Sequence, residues 1–184
     1  MAFCEVFKGK MKEKTIKSNV VYDGKILRLN NDDIECDNGV RATREIVHHN
    51  GGVCILAFKD NKVVMVKQYR YAFQEELLEL PAGKLEKGED PYHAGIRELE
   101  EEVGLKAESL ASLGCIYPSC GYTNEIIYLY KANNVVEVKR HLDIDENIDI
   151  YYFTLDEVLE KIKSGEIKDA KTIGLILKYK QFNK

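Results

Sequence analysis

Gly83-Lys84-Leu85-Glu86-Lys87-Gly88-Glu89-Asp90-Pro91-Tyr92-His93-Ala94-Gly95-Ile96-Arg97-Glu98-Leu99-Glu100-Glu101-Glu102-Val103-Gly104-Leu105 is the stretch that decides how this chain reads. Asp90 can cap the free N–H groups of a helix start, and Pro91 suits the first helical position. Gly104 fits a left-handed cap at the other end. With Glu98 set at zero and 100° per residue, Glu102 falls at about 40° and Glu101 at about −60°, while Ile96, Leu99 and Val103 gather near 100–160°. The predicted helix has an apolar stripe for a core and a separate stripe of three carboxylates. Like charges three and four residues apart cost a helix about 0.2–0.5 kcal/mol per pair. Arg97 can pair with Glu101 and offset part of that cost. A cation seated on the carboxylates would offset the rest, and hard oxygen ligands suit Mg²⁺ or Mn²⁺, which hold phosphates as well. On the carboxylates alone, a solvated acidic face is the competing reading.

Outward from this segment, strands dominate. Residues 20–50 read as short strands broken at Asp23-Gly24 and Asp37-Asn38-Gly39, the second an Asn-Gly hairpin signal. Val53 to Phe58 is a buried strand, and Asp60-Asn61 turns the chain into another, Lys62 to Tyr69. Glu76 to Leu80, Cys115 to Tyr117 and Glu125 to Lys131 read as further strands. Thr154-Leu155-Asp156-Glu157 fits a capping box, Gly165 stops that helix, and Asp169 to Tyr179 forms a last amphipathic helix. His48 and His49 are strand neighbours on opposite faces, so they do not share one ion. Strands and helices without regular alternation predict α+β, with helices packed on a mixed sheet.

The 184 residues favour one domain, or one with an appendage. With 45% hydrophobic and 32% charged residues the composition is that of a globular protein. No run of 18 apolar residues occurs, so no membrane helix is expected, and no apolar leader core precedes the first strands. The net charge of −4, from 27 basic and 31 acidic residues, argues against nucleic acid as a partner. The basic stretch Lys8 to Lys17 reads as a solvated face. Five cysteines without a CxxC read as reduced thiols of a cytoplasmic protein.

The spacing Gly83, Glu89, Arg97-Glu98-Leu99, Glu101-Glu102, Gly104-Leu105 resembles the Nudix box, the signature of hydrolases that split nucleoside diphosphates linked to another moiety. The resemblance implies the Nudix fold, a mixed-sheet α/β/α sandwich, and a loop–helix–loop that binds divalent metal (Mg²⁺, with Mn²⁺ as substitute). It makes the Ala82 carbonyl, Glu98 and Glu102 the expected metal ligands, with Glu101 alongside, while Gly83 permits the tight turn and Glu89 and Arg97 hold the box in shape. Tyr22-Asp23-Gly24, Arg44-Glu45-Ile46-Val47, Gln68-Tyr69-Arg70 and Leu78-Glu79-Leu80-Pro81-Ala82-Gly83 look like the ADP-ribose pyrophosphatase branch. In that branch the segment before the core packs on, or swaps with, a second subunit. A homodimer follows as an expectation, with residues 1–50 as an antiparallel strand extension and 51–184 as the hydrolase domain.

The same resemblance places Arg70 and Glu79 at the pyrophosphate, Arg44 at the nucleotide half in its own site or the partner's, and Glu125 at the terminal ribose. Two departures stand out. Cys120 replaces the proline of the branch's Ser-Pro-Gly turn in Tyr117-Pro118-Ser119-Cys120-Gly121. In the acidic stretch Asp143-Ile144-Asp145-Glu146, Glu146 matches one acidic position and Ile144 occupies the other. Glu146 is the first choice for general base and a further metal contact, with Asp145, Asp143 and Glu101 as alternatives. The expected activity is hydrolysis of ADP-ribose, or a close nucleoside diphosphate sugar, to AMP and ribose 5-phosphate. Other substrates (GDP-mannose, a dinucleotide, an oxidised nucleotide) keep the chemistry. A non-catalytic nucleotide sensor is the reading from another class, and such proteins typically lose box carboxylates that are all present here.

Overall fold

The computed structural model describes residues 13–142 and 147–182. In chain order the elements are β1 (Glu13–Asp23), β2 (Leu27–Cys36), β3 (Arg41–His49), β4 (Gly52–Leu56), β5 (Phe58–Lys59), β6 (Lys62–Arg70), β7 (Glu75–Glu79), β8 (Ala82–Lys84), α1 (Pro91–Val103), β9 (Leu105–Ile116), β10 (Ile127–Glu137), β11 (Ile148–Phe153), α2 (Leu155–Ser164) and α3 (Ala170–Phe182). The expected α+β class and α/β/α layering hold.

β4 lies at the heart of the molecule, and all five of its residues are buried. A strand covered on both faces carries an apolar run rather than an alternation. Val53 and Ile55 enter a core with Ala94, Leu99 and Val103 of α1. Cys54 and Leu56 enter a second core with Val158 of α2 and Leu175 and Ile176 of α3. β6 divides in the same way, Val64 and Val66 to the first core and Val63 and Met65 to the second. β4 runs parallel to β10 and antiparallel to β8, in the sheet order β8-β4-β10-β9. β6 pairs antiparallel with β11 and with β5 and β7.

The helix ends follow the sequence. The Asp90 side chain accepts from the N–H groups of Tyr92 at 3.0 Å and His93 at 3.3 Å. Gly104 takes a left-handed φ of 65° and donates its N–H to Glu100 O at 3.0 Å. Thr154 and Glu157 close a reciprocal capping box on α2.

β1, β2 and β3 form a separate antiparallel sheet. It joins the body where Val47 N donates to Tyr122 O at 2.7 Å and Asn124 N donates to Val47 O at 3.2 Å. Val20, Val21, Tyr22, Ile26 and Val40 of this region are exposed. Among the described residues, no helix is long and apolar enough to cross a membrane.

Two expectations need correction. The strand expected at Cys115 begins ten residues earlier, directly after Gly104, and β10 extends to Glu137 to pair with it. Leu105, Ala107 and Leu110 point inward between polar neighbours, a half-buried alternation that the small and charged residues obscured. Cys36, Cys54 and Cys120 are free thiols, but Cys115 is disulfide-bonded. An odd number of cysteines requires one unpaired thiol and leaves the others able to pair. Cys4, and the basic stretch as far as residue 12, lie outside the described residues.

Leu99→Ala and Leu175→Ala each open a void in a different core layer. Each is expected to lower unfolding free energy by about 2–5 kcal/mol in guanidinium titrations.

Candidate active site

A cavity of about 880 Å³ opens where β8 meets the N-terminal ends of α3 and β10 and one flank of α1. Ala82, Gly83, Arg97, Glu98, Glu101 and Glu102 form one wall, and Arg70, Asp169 and Lys171 form another. His49, Asn50 and Glu125 line a further part. This volume suits a ligand of nucleotide size.

The first wall is organised by Arg97. Its Nε and Nη2 donate to the two carboxylate oxygens of Glu89 at 2.9 and 3.0 Å. Its Nη1 donates to Glu98 Oε1 at 2.9 Å and to Glu101 Oε2 at 2.8 Å. The Glu89 hydrogen bonds and the nearby carboxylates hold Arg97 charged, above the ordinary arginine range. Arg97 in turn holds the Glu89 carboxyl below its ordinary value. Glu98 presses on Gly83 so closely that a Cβ added to Gly83 would lie 1.8 Å from the Glu98 carboxyl carbon. Glu102, only 3% exposed, accepts the Ala82 N–H on Oε2 at 3.0 Å.

Glu98 and Glu102 therefore converge on the Ala82–Gly83 backbone, with Glu101 one turn away under Arg97. This all-oxygen donor set fits a hard divalent cation. Among the described residues, no three acidic, His or Cys groups are already gathered as a metal cluster. Arg97 holds Glu98 and Glu101 in a compact set of ion pairs instead.

In the second wall Arg70 grips Glu79 with two parallel bonds, Nε to Oε1 at 2.7 Å and Nη2 to Oε2 at 2.6 Å. Glu79 is 1% exposed and also receives Lys171 Nζ. Burial pushes the Glu79 carboxyl up, but the Arg70 hydrogen bonds and the Lys171 charge outweigh it and leave it below 4.5. Lys171 donates to Asp169 Oδ1 at 3.0 Å. Thr172 Oγ1 donates to Asp169 Oδ2 at 2.6 Å and accepts the Leu80 N–H at 2.8 Å.

Most residues expected at the site thus meet in one cavity. Glu125 lines it, with Oε1 3.4 Å from His49 Nδ1. Arg44 does not line it; it pairs with Glu13 on the N-terminal sheet, Nε to Oε2 at 3.1 Å. Cys120 is exposed in its turn. Glu146, Asp145 and Asp143 lie outside the described residues. Sequence reasoning missed Lys171, Asp169 and His49. The signal for the first two was Asp169-Ala170-Lys171-Thr172, polar residues heading an apolar helix, and for His49 it was its place at a strand end before Asn50-Gly51-Gly52.

The NUDIX domain model matches residues 48–173. The chain therefore belongs to the Nudix hydrolase family. It is 42% identical over 165 residues to the ADP-ribose pyrophosphatase of Bacillus subtilis (strain 168), covering 88% of this chain and 89% of that one. It is 44% identical over 169 residues to the methanol dehydrogenase activator of Bacillus methanolicus, covering 90% and 91%. The crystal structure of an ADP compounds hydrolase superposes with a TM-score of 0.85 at 21% identity, over 95% of this chain and 96% of that chain, and shares the fold.

Gly83→Ala is expected to displace the Glu98 carboxylate and lower kcat/KM at least about ten-fold, while the far-ultraviolet circular dichroism stays unchanged. Glu79→Gln leaves two cations against a neutral amide, and is expected to cost about 3–5 kcal/mol of stability at pH 7. Because the folded Glu79 pKa is depressed, its contribution is present above 4.5 and lost as pH falls through the folded value. Denaturant titrations at several pH values should show the gap between natural chain and variant closing below 4.5.

Proposed function

We propose that this chain hydrolyses the pyrophosphate bond of ADP-ribose, releasing AMP and ribose 5-phosphate. The observation that carries this reading is the arrangement of the box carboxylates and the Arg70–Glu79–Lys171 group around one cavity of nucleotide size. The similarity to an ADP-ribose pyrophosphatase over nearly the whole chain supports the choice of substrate.

The Ala82 carbonyl, Glu98, Glu101 and Glu102 would hold Mg²⁺, or Mn²⁺ in its place, with Glu146 as a further contact. When bound, such a metal supplies charge neutralisation at the pyrophosphate and a lowered pKa for water. The remaining work falls to side chains. Arg70 has two Nη1 protons not committed to Glu79, and these can hold a phosphate oxygen. Arg97 keeps Glu98 and Glu101 oriented. A carboxylate takes the proton of the attacking water, Glu146 by preference and Glu101 otherwise. The water oxygen bonds to one phosphorus, and the bond from that phosphorus to the bridging oxygen breaks. Glu125, which lines the same cavity, would contact the distal ribose.

The same reading makes the chain a homodimer, with residues 1–50 as the pairing element and 51–184 as the hydrolase domain. The exposed apolar side chains of the N-terminal sheet support this, as does Arg44, which would serve the partner's cavity rather than its own. A cytoplasmic location is supported by the free thiols Cys36, Cys54 and Cys120, while the disulfide at Cys115 counts against it. A second reading, activation of a partner dehydrogenase, is favoured by the similarity to the methanol dehydrogenase activator.

A panel of nucleoside diphosphate derivatives with Mg²⁺ tests the proposal. ADP-ribose is expected to give the highest kcat/KM, and Glu102→Gln to lower kcat at least about a hundred-fold without unfolding. If a different compound leads, the substrate is wrong. If none is cleaved, the hydrolytic reading falls.

A further inference from the structure

The first turn of α3 sets a cation into the cavity wall that the hydrolysis outlined above does not employ. The Lys171 side chain is only 14% exposed. It bonds Glu79 Oε2, the oxygen that also receives Arg70 Nη2. Burial favours neutral Lys171, yet the charges of Asp169 and Glu79 outweigh this and hold it protonated.

The charge balance gives this lysine a purpose. Arg70 and Glu79 alone cancel, and a cancelled guanidinium attracts a phosphate poorly. Lys171 takes up the Glu79 charge a second time and leaves the three groups at net +1. Asp169 faces Lys171, but its other oxygen accepts from Thr172 N at 3.0 Å as well as from Thr172 Oγ1. Its charge is therefore partly spent on the positive end of α3. With Asp169 counted, Lys171 brings the wall to neutrality; without it Arg70, Glu79 and Asp169 would carry net −1, facing the box carboxylates across the same cavity. A pyrophosphate would meet negative charge on both sides. The Arg70 side chain remains 36% exposed, so its Nη1 edge can reach an anion.

We infer that Lys171 is a positioning residue for the anionic substrate: by neutralising buried Glu79 it keeps Arg70 a net cation, fixed in direction, opposite the box. This rests on the proposed pyrophosphate hydrolysis. A plain structural ion pair would affect folding and leave substrate affinity unmoved.

The test compares the full chain with Lys171→Met and Lys171→Arg in two measurements. With ADP-ribose and Mg²⁺, Lys171→Met is expected to raise KM at least about five-fold and lower kcat less than three-fold, and Lys171→Arg to restore KM to within about two-fold. An unchanged KM, or a fall in kcat larger than the rise in KM, overturns the inference. Calorimetry with inorganic pyrophosphate and Mg²⁺ is expected to show binding weakened at least about five-fold in the Met variant and restored in the Arg variant. This second measurement separates the two claims. If the natural chain cleaves nothing, the proposed hydrolysis fails and pyrophosphate binding alone decides Lys171. Equal binding by natural chain and Met variant, or none by the natural chain, overturns the role. Should Lys171→Met not fold, Lys171→Gln takes its place in both measurements; a KM within about 1.5-fold of the natural chain's overturns the role, and a larger rise supports it.

Discussion

The acidic wall of the cavity depends on one guanidinium, that of Arg97. Glu89, Glu98 and Glu101 would repel one another if left alone, and Arg97 satisfies all three with fixed, directional bonds. A lysine could supply the charge but not the fork that bridges Glu89 while its remaining edge serves the helix. The pairing ties the loop before α1 to the face of α1. It turns a stripe of like charges, unfavourable in an isolated helix, into a rigid and locally compensated wall.

That wall would be of no use without a frame to meet. β4 provides the frame because it is buried on both faces and carries a core on each. α1 presses on one side, bringing Glu98 against Gly83. α3 presses on the other, and its first turn is bonded to Leu80 just ahead of Ala82. Opposite layers of the sandwich thus converge on a single short stretch, from Glu79 to Gly83. The acidic wall approaches it from one side and the Arg70 and Lys171 wall from the other.

Much of this was legible in the sequence. Asp90, Pro91 and Gly104 mark α1 to the residue, because capping is a local matter of donors and backbone freedom. The separation of Glu98 and Glu102 from Leu99 and Val103 follows from helical geometry alone. What sequence reading could not reach was set by tertiary contact. β9 was half lost because Glu108, Ser109 and Ala111 dilute its apolar alternation, and only pairing with β10 shows how far the strand runs. Lys171 and Glu79 lie 92 residues apart, and no local pattern links them. Helical spacing puts Glu102 on a stripe of three carboxylates, but only its contact with the Ala82 N–H shows that it is almost fully buried.

Gly104 closes α1, and β9 begins at the very next residue. The junction has no slack. One residue inserted between Glu98 and Glu102 would swing everything beyond it by about 100°, carrying Glu102 off the Ala82 backbone and Leu105 out of its core. Nor is there a loop there to absorb the error. This part of the chain can change by substitution but not by length, whereas the turn at Asp37–Gly39 can lengthen at little cost. Across relatives, gaps should therefore gather in such turns and leave the count from Gly83 to Leu105 untouched.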